Sequence, residues 1–190
     1  MAKRRLPAVA DAARAADSIV GLGNIGKAVA RRLAGFDVVV RYHGRAAQPD
    51  VPYDYHATIV DLARACDVLI MLVPGGARTR HLVDAEVLAA LGPDGVLINV
   101  ARGSVVDEQA LVEALGSGAI LAAGLDVYDK EPHVPAPLLA MSNVVLLPHI
   151  GSGSEQTRAA MGQLLVDNLA AWFATGRAIT PVPESPVVQG

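Results

Sequence analysis

The sequence predicts an α/β protein built on a doubly wound parallel sheet, and three observations predict it. Short apolar runs without alternation recur between helical patterns, as expected of strands covered on both faces. The run Gly21-Leu22-Gly23-Asn24-Ile25-Gly26 follows one of the first of these strands and opens a helix. Three later apolar runs are each followed closely by one charged or titratable residue: Arg102 in residues 99–107 (NVARGSVVD), Glu131 in residues 124–132 (GLDVYDKEP) and His149 in residues 143–152 (NVVLLPHIGS).

A chain of 190 residues, 52% hydrophobic and 18% charged, suits one well-buried domain better than two full-sized ones. Residues 1–17 read as a remnant or linker, because the basic start Lys3-Arg4-Arg5 leads into an Ala-rich stretch; no secretory signal is expected there. The domain proper is placed at residues 18–153. Its strands are predicted at 18–21, 37–41, 67–73, 96–100, 120–127 and 144–147, with helices at 24–34, 58–66, 79–91 and 107–115. Gly35, Gly92-Pro93-Asp94-Gly95 and Gly116-Ser117-Gly118 punctuate them. Right-handed crossovers fold such a series into one sheet with helices on both faces, and its ligands gather at the carboxyl ends of the strands. A last helix is placed at residues 154–178, where Met161, Leu164, Leu165, Val166, Leu169 and Trp172 form a broad apolar face that requires cover. The Pro-rich residues 179–190 read as an irregular tail.

The net charge of −3, with scattered basic residues, gives no electrostatic reason for a nucleic-acid partner or an anionic membrane. No stretch reaches the roughly 18 uninterrupted apolar residues of a membrane span. The single cysteine, Cys66, lies between a helical and a strand pattern and reads as a buried structural thiol; a reducing, cytoplasmic compartment is expected. His43, His56, His81 and His133 have neither ligand spacing nor cysteine neighbours, so no metal site is expected.

Each glycine of the Gly21–Gly26 run has a physical use. The first permits a tight turn, the second lets a pyrophosphate approach the backbone, and the third lets helix and strand pack closely, with helix amides facing the phosphates. The pattern predicts a Rossmann-like dinucleotide-binding domain. An NAD site usually places Asp or Glu roughly 20 residues further on, for the ribose 2′-hydroxyl. This chain has Arg41-Tyr42-His43-Gly44-Arg45 and no acid there. Arg41 and Arg45 are therefore candidate contacts of a 2′-phosphate, His43 beside them is a further candidate coenzyme contact, and NADP(H) is the expected coenzyme, with NAD held without its usual acid as the alternative.

Singly, Arg102 reads as a surface cation, Glu131 before Pro132 as a turn carboxylate and His149 after Pro148 as a loop histidine. Together they supply what reduction of a 2-keto acid by a nicotinamide requires: a cation for the carboxylate, a proton donor for the carbonyl, and an acid that tunes the donor. GLGNIGKAVARRL, LINVARGSVVDEQALVEAL, AGLDVYDKEP and NVVLLPHIGSGSEQTR resemble, in order and spacing, the D-isomer-specific 2-hydroxyacid dehydrogenase family, over about residues 19–182. LGPDGVLINVARG and the acid-free turn are most similar to its hydroxypyruvate and hydroxyphenylpyruvate reductase branch.

The resemblance implies a catalytic set of Arg102, Glu131 and His149. Arg102 binds the carboxylate, His149 gives the proton, and Glu131 holds the other imidazole nitrogen and favours its protonated form. It further implies coenzyme contacts at Gly21, Gly23, Asn24, Ile25, Gly26, Val73, Pro74, Thr79, Val100, Ala101, Arg102, Asp126, His149 and Gly151. The activity implied is hydride transfer between NADPH and a small 2-keto acid of the glyoxylate, hydroxypyruvate or phenylpyruvate type, giving a D-2-hydroxy acid, in a homodimer. Family members carry a substrate domain of about a hundred residues ahead of the coenzyme domain. Only 18 residues precede Ile19 here, so weak or absent turnover is expected of these residues alone, and a catalytically silent NAD(P)-binding module, redox-sensing or scaffolding, is the alternative.

Overall fold

The computed structural model describes residues 16–182. Seven strands, β1 (Ala16–Val20), β2 (Val39–His43), β3 (Asp54–His56), β4 (Val68–Met71), β5 (Val96–Asn99), β6 (Ala122–Leu125) and β7 (Val144–Leu146), form one sheet in the order β3-β2-β1-β4-β5-β6-β7. Every neighbouring pair is parallel. The chain moves outward from β1 to β3, then returns to lay β4 against the other side of β1. The strand order therefore reverses between β1 and β4, the crevice where such sheets bind ligands.

The described residues also form six α-helices: α1 (Asn24–Leu33), α2 (Ile59–Arg64), α3 (Ala85–Leu91), α4 (Glu108–Ser117), α5 (Ala136–Ala140) and α6 (Glu155–Thr175). Successive residues of a strand face opposite sides of a sheet, and β1 shows the result. Ile19 packs with Leu22, Ala30, Val40 and Tyr42 in a small core that includes α1. Val20 joins Leu69, Met71, Leu97 and Leu125 in a larger core covered by α2, α3 and α4 through Leu62, Leu88 and Leu111.

Local chemistry fixes the helix ends. The Thr58 hydroxyl accepts from Asp61 N–H at 3.1 Å. Asp84 accepts from Glu86 and Val87 N–H at 2.9 and 3.1 Å, and Asp107 from Gln109 and Ala110 N–H at 3.1 and 3.2 Å. Such caps contribute about 1 kcal/mol each. α4 stops at Gly118, whose φ of +73° suits a residue without Cβ.

The structure departs from the sequence reading at several elements, among them the second strand, found at Val39–His43 rather than 37–41. β1 begins at Ala16, inside the segment read as linker, whose residues 1–15 lie outside the described ones. Residues 54–56 form an unpredicted edge strand. The predicted helix at 79–91 is helical only from Ala85, because residues 79–83 bond instead to the segment after β5: His81 N–H donates to Ser104 O at 2.8 Å, and Val83 and Val106 form a parallel bridge. A short helix, α5, opens behind Pro135.

Two compact units divide between Pro148 and His149, five residues before the boundary placed from sequence. The sheet and α1–α5 belong to the first unit and α6 to the second. Residues 179–182 carry no helix or strand, and the rest of the predicted tail lies outside the described residues. No helix among the described residues is long and apolar enough to cross a membrane.

Candidate coenzyme and keto-acid site

The glycine run occupies the exit of β1. Gly21 has φ of +102°, and a Cβ there would lie 2.9 Å from the backbone of Leu72 and Val73. The two strands at the reversal thus leave the sheet almost touching, tied by Leu72 N–H donating to Val20 O at 2.8 Å. A Cβ on Gly26 would collide with Gly21 O, whereas one on Gly23 would meet nothing within 4 Å. The first and third glycines are consumed by packing and the second faces open space. Unlike α2, α3 and α4, α1 has no side-chain cap at its Gly23 N-cap and no acid in its first turn. Its amides, beside exposed Asn24 and Ile25, fit a pyrophosphate in charge and in room.

The two candidate 2′-phosphate arginines part company. Arg45 is exposed on the turn after β2. That turn is braced: Gln48 Nε2 donates to Leu22 O at 2.9 Å, Gln48 N–H to the Tyr42 hydroxyl at 2.6 Å, and the Tyr55 hydroxyl to Gly44 O at 3.3 Å. His43 closes β2, its carbonyl accepting from Gly21 N–H at 2.9 Å and its Nδ1 lying 2.9 Å from His56 O. Arg41 is mid-strand, and its Nη1 donates to Ala65 O at 2.7 Å, at the amino end of β4. It points away from the carboxyl edge and drops out of the candidate coenzyme contacts. Its neighbour Cys66 is buried, and burial pushes the thiol up to about 11, in keeping with a structural role.

At the exit of β4, Val73 is half-buried and Pro74 exposed. Thr79, expected as a coenzyme contact, clasps this corner: its hydroxyl donates to Pro74 O at 2.7 Å and its N–H to Gly76 O at 3.1 Å.

Arg102 is held at the exit of β5 by a residue that sequence reasoning missed. Asn99 is 1% exposed; its Nδ2 donates to Arg102 O and its Oδ1 accepts from Ala101 N–H, both at 3.1 Å. A polar residue closing the apolar run VLIN was the available signal. The Arg102 side chain is exposed and folds back, Nη1 donating to Ala101 O at 2.6 Å. Ala101 is buried and Val100 exposed. Gly103 follows because nothing larger fits: a Cβ there would fall onto the Tyr128–Asp129 backbone.

The β6 exit carries the acids. Asp126 is 5% exposed, and its N–H donates to Asn99 O at 3.0 Å, so the β5 and β6 exits are stitched together. Glu131 is exposed, and its Oε1 accepts from Tyr128 N–H at 3.0 Å. The Tyr128 hydroxyl donates to Leu147 O at 2.8 Å, fixing the exit of β7. The first unit therefore brings Arg102, Asp126 and Glu131 to adjacent strand ends.

His149 opens the second unit, exposed and with φ of +55°, a conformation uncommon for a side chain with Cβ. Exposed Gly151 lies in the same turn, closed by Gly153 N–H donating to Ile150 O at 2.8 Å. Among the described residues no group of His, Cys, Asp and Glu could hold a metal ion.

The chain is similar in sequence and fold to known proteins. The chain is 50% identical over 164 residues to a glyoxylate/hydroxypyruvate reductase A of Arabidopsis thaliana and 48% identical over 164 residues to a hydroxyphenylpyruvate reductase of Plectranthus scutellarioides, each match covering 86% of this chain and 52% of the relative. The crystal structure of an NADPH-dependent glyoxylate/hydroxypyruvate reductase from Sinorhizobium meliloti, in complex with NADP and malonate, superposes with a TM-score of 0.88 at 55% identity, over 91% of this chain and 54% of that one. The chain thus spans about half the length of the relatives it matches. With a reversed parallel sheet, a glycine turn open at its second position and residues 4–151 matching the family described as D-isomer specific 2-hydroxyacid dehydrogenase, NAD binding domain, the chain belongs to that family.

Proposed function

We propose that the chain holds NADPH at the β1–β4 reversal and serves the reduction of small 2-keto acids, of the glyoxylate, hydroxypyruvate or phenylpyruvate type, to D-2-hydroxy acids. The observation that carries the reading is Arg102, set by buried Asn99 on a fixed turn among the same strand ends that hold the glycine run. The names of the relatives, reductases of glyoxylate, hydroxypyruvate and hydroxyphenylpyruvate, support the substrate class.

When bound, the coenzyme would supply the hydride to the keto carbon. Arg102 leaves the Ala101 carbonyl to pair with the substrate carboxylate, and its fixed charge polarises the adjacent carbonyl. His149 passes its proton to the carbonyl oxygen, which becomes the hydroxyl of the product. Glu131 takes the part that the family resemblance implies for it, the acid that favours a protonated imidazole. Arg45 pairs with the 2′-phosphate from the braced turn, residues 41–45 carrying no acid.

Fluorescence titration with NADPH and NADH, followed by coenzyme oxidation in the presence of each keto acid, tests the proposal. NADPH should bind more tightly than NADH, with a preference that shrinks as salt rises. His149→Ala should lower turnover by about a hundredfold or more while NADPH affinity stays within about twofold. Equal affinities would remove the NADPH assignment. Tight binding with no turnover would favour the silent module, and near-normal turnover in His149→Ala would remove His149 as the acid.

A further inference from the structure

We propose that Gly75 is the residue that positions the Arg102 side chain, so that the volume at position 75 governs how well the chain grips a carboxylate. The proposal rests on the reading of Arg102 as the carboxylate cation. A Cβ built on Gly75 would lie 2.8 Å from Cγ, 3.2 Å from Cβ and 3.9 Å from Cδ of Arg102, and these are the three nearest atoms it would meet. The arginine stem therefore lies along the bare face of this glycine. Backbone conformation does not account for a glycine here: the left-handed φ, +146°, falls on Gly76 and not on Gly75.

Both backbones are pinned, which decides what yields. The Pro74–Gly76 corner is clasped by Thr79 through bonds of 2.7 and 3.1 Å. The Arg102 carbonyl accepts from Asn99 at 3.1 Å, and Gly103 is wedged against Tyr128 and Asp129. Only the arginine torsions remain to give. Non-bonded carbons sit best at about 3.5–4.0 Å, so a methyl at 75 moves Cγ by on the order of 1 Å. Misplacing a binding group by about that much costs up to about a hundredfold. Gly75 is thus a positioning residue that acts through Arg102.

The test compares the chain with Gly75→Ala, Arg102→Ala and Gly35→Ala, the last a control whose Cβ would meet nothing within 4 Å. One measurement is the Arg102 Nε–H resonance in the ligand-free protein. The other is the affinity of the NADP-loaded chain for oxalate, a dicarboxylate resembling the carboxylate end of a 2-keto acid. Gly75→Ala should shift the Nε–H resonance and weaken oxalate at least about tenfold, with NADPH affinity within about twofold of the parent. Gly35→Ala should change neither. An unmoved resonance, or a moved resonance with unchanged oxalate affinity, overturns the proposal. If the parent takes up no oxalate, or if Arg102→Ala leaves its affinity unchanged, the carboxylate reading of Arg102 falls; the resonance alone then decides whether Gly75 places the arginine.

Discussion

Asp17 is a carboxyl group in a central strand, 8% exposed, between Val40 of β2 and Val68 of β4. Burial raises its pKa above 3.8, and nearby Asp67 pushes in the same direction. The folded chain therefore holds this proton more tightly than the unfolded chain, and ionising Asp17 opposes folding. That penalty is absent below the ordinary carboxylate pKa and grows as pH rises through the raised one. Asp17→Asn should accordingly raise the melting temperature at pH 7, and the gain should shrink as pH falls toward 4; an equal gain at both would show that charge is not the cause. The residues that sequence singled out were those whose chemistry is their own, such as Arg102, Glu131 and the glycine run, and the fold sets them at strand ends. Asn99 and Gln48 were not singled out, and Thr79 was singled out only as a coenzyme contact, because each braces a backbone segment through bonds that the sequence does not display. Arg41 misled for the converse reason: its type suits a phosphate, but a strand places its side chain, and this one reaches Ala65 at the opposite edge of the sheet.

At the scale of elements, the turns at the strand ends depend on contacts between segments far apart in sequence. The segment carrying Arg102 is closed against the segment carrying Glu131 by one glycine. Gly103→Ala should force these segments apart, a strained insertion that costs about 1–3 kcal/mol or more. For a chain of this size each kcal/mol lowers the melting temperature by about 2–4 °C, so a loss of several degrees is expected in a thermal melt. A fall of less than a degree would mean that the two segments are free to part. The same dependence explains which elements the sequence concealed. β3 has three residues, lies at the edge of the sheet and follows Pro52, so its strand character comes from pairing with β2. Residues 79–83 have helical spacing, yet Val83 N–H donates to Val105 O at 3.0 Å and His81 takes φ of +50°, so tertiary bonds override the local pattern. The buried strands and the capped helices were legible because periodicity and caps are local properties.

For the whole molecule, exposed apolar surface and ligand linkage decide how it behaves in solution. α6 buries none of its side chains, and Leu165, Trp172 and Phe173 are 62%, 46% and 84% exposed. An apolar dye should therefore fluoresce with the native chain, and replacing Leu165 and Phe173 by polar residues should abolish most of that signal; a dye-silent parent would show that the face is covered. Coenzyme selective for the native state adds about 2.7 kcal/mol at a hundredfold excess over its Kd. NADPH at that level should raise the melting temperature by about 5–10 °C, and no rise would mean that the binding fold is not intact. The strand order also sets a timetable for synthesis. β1 lies between β2 and β4, so β1, made before both, has its second neighbour only after residues 68–71 emerge from the ribosome. Until then a central strand behaves as an edge, with one row of backbone groups open to any other chain. The reversal that later makes the ligand crevice is thus also the last seam of the nascent sheet's first half to close, and the interval in which a partly made chain is most exposed to mispairing.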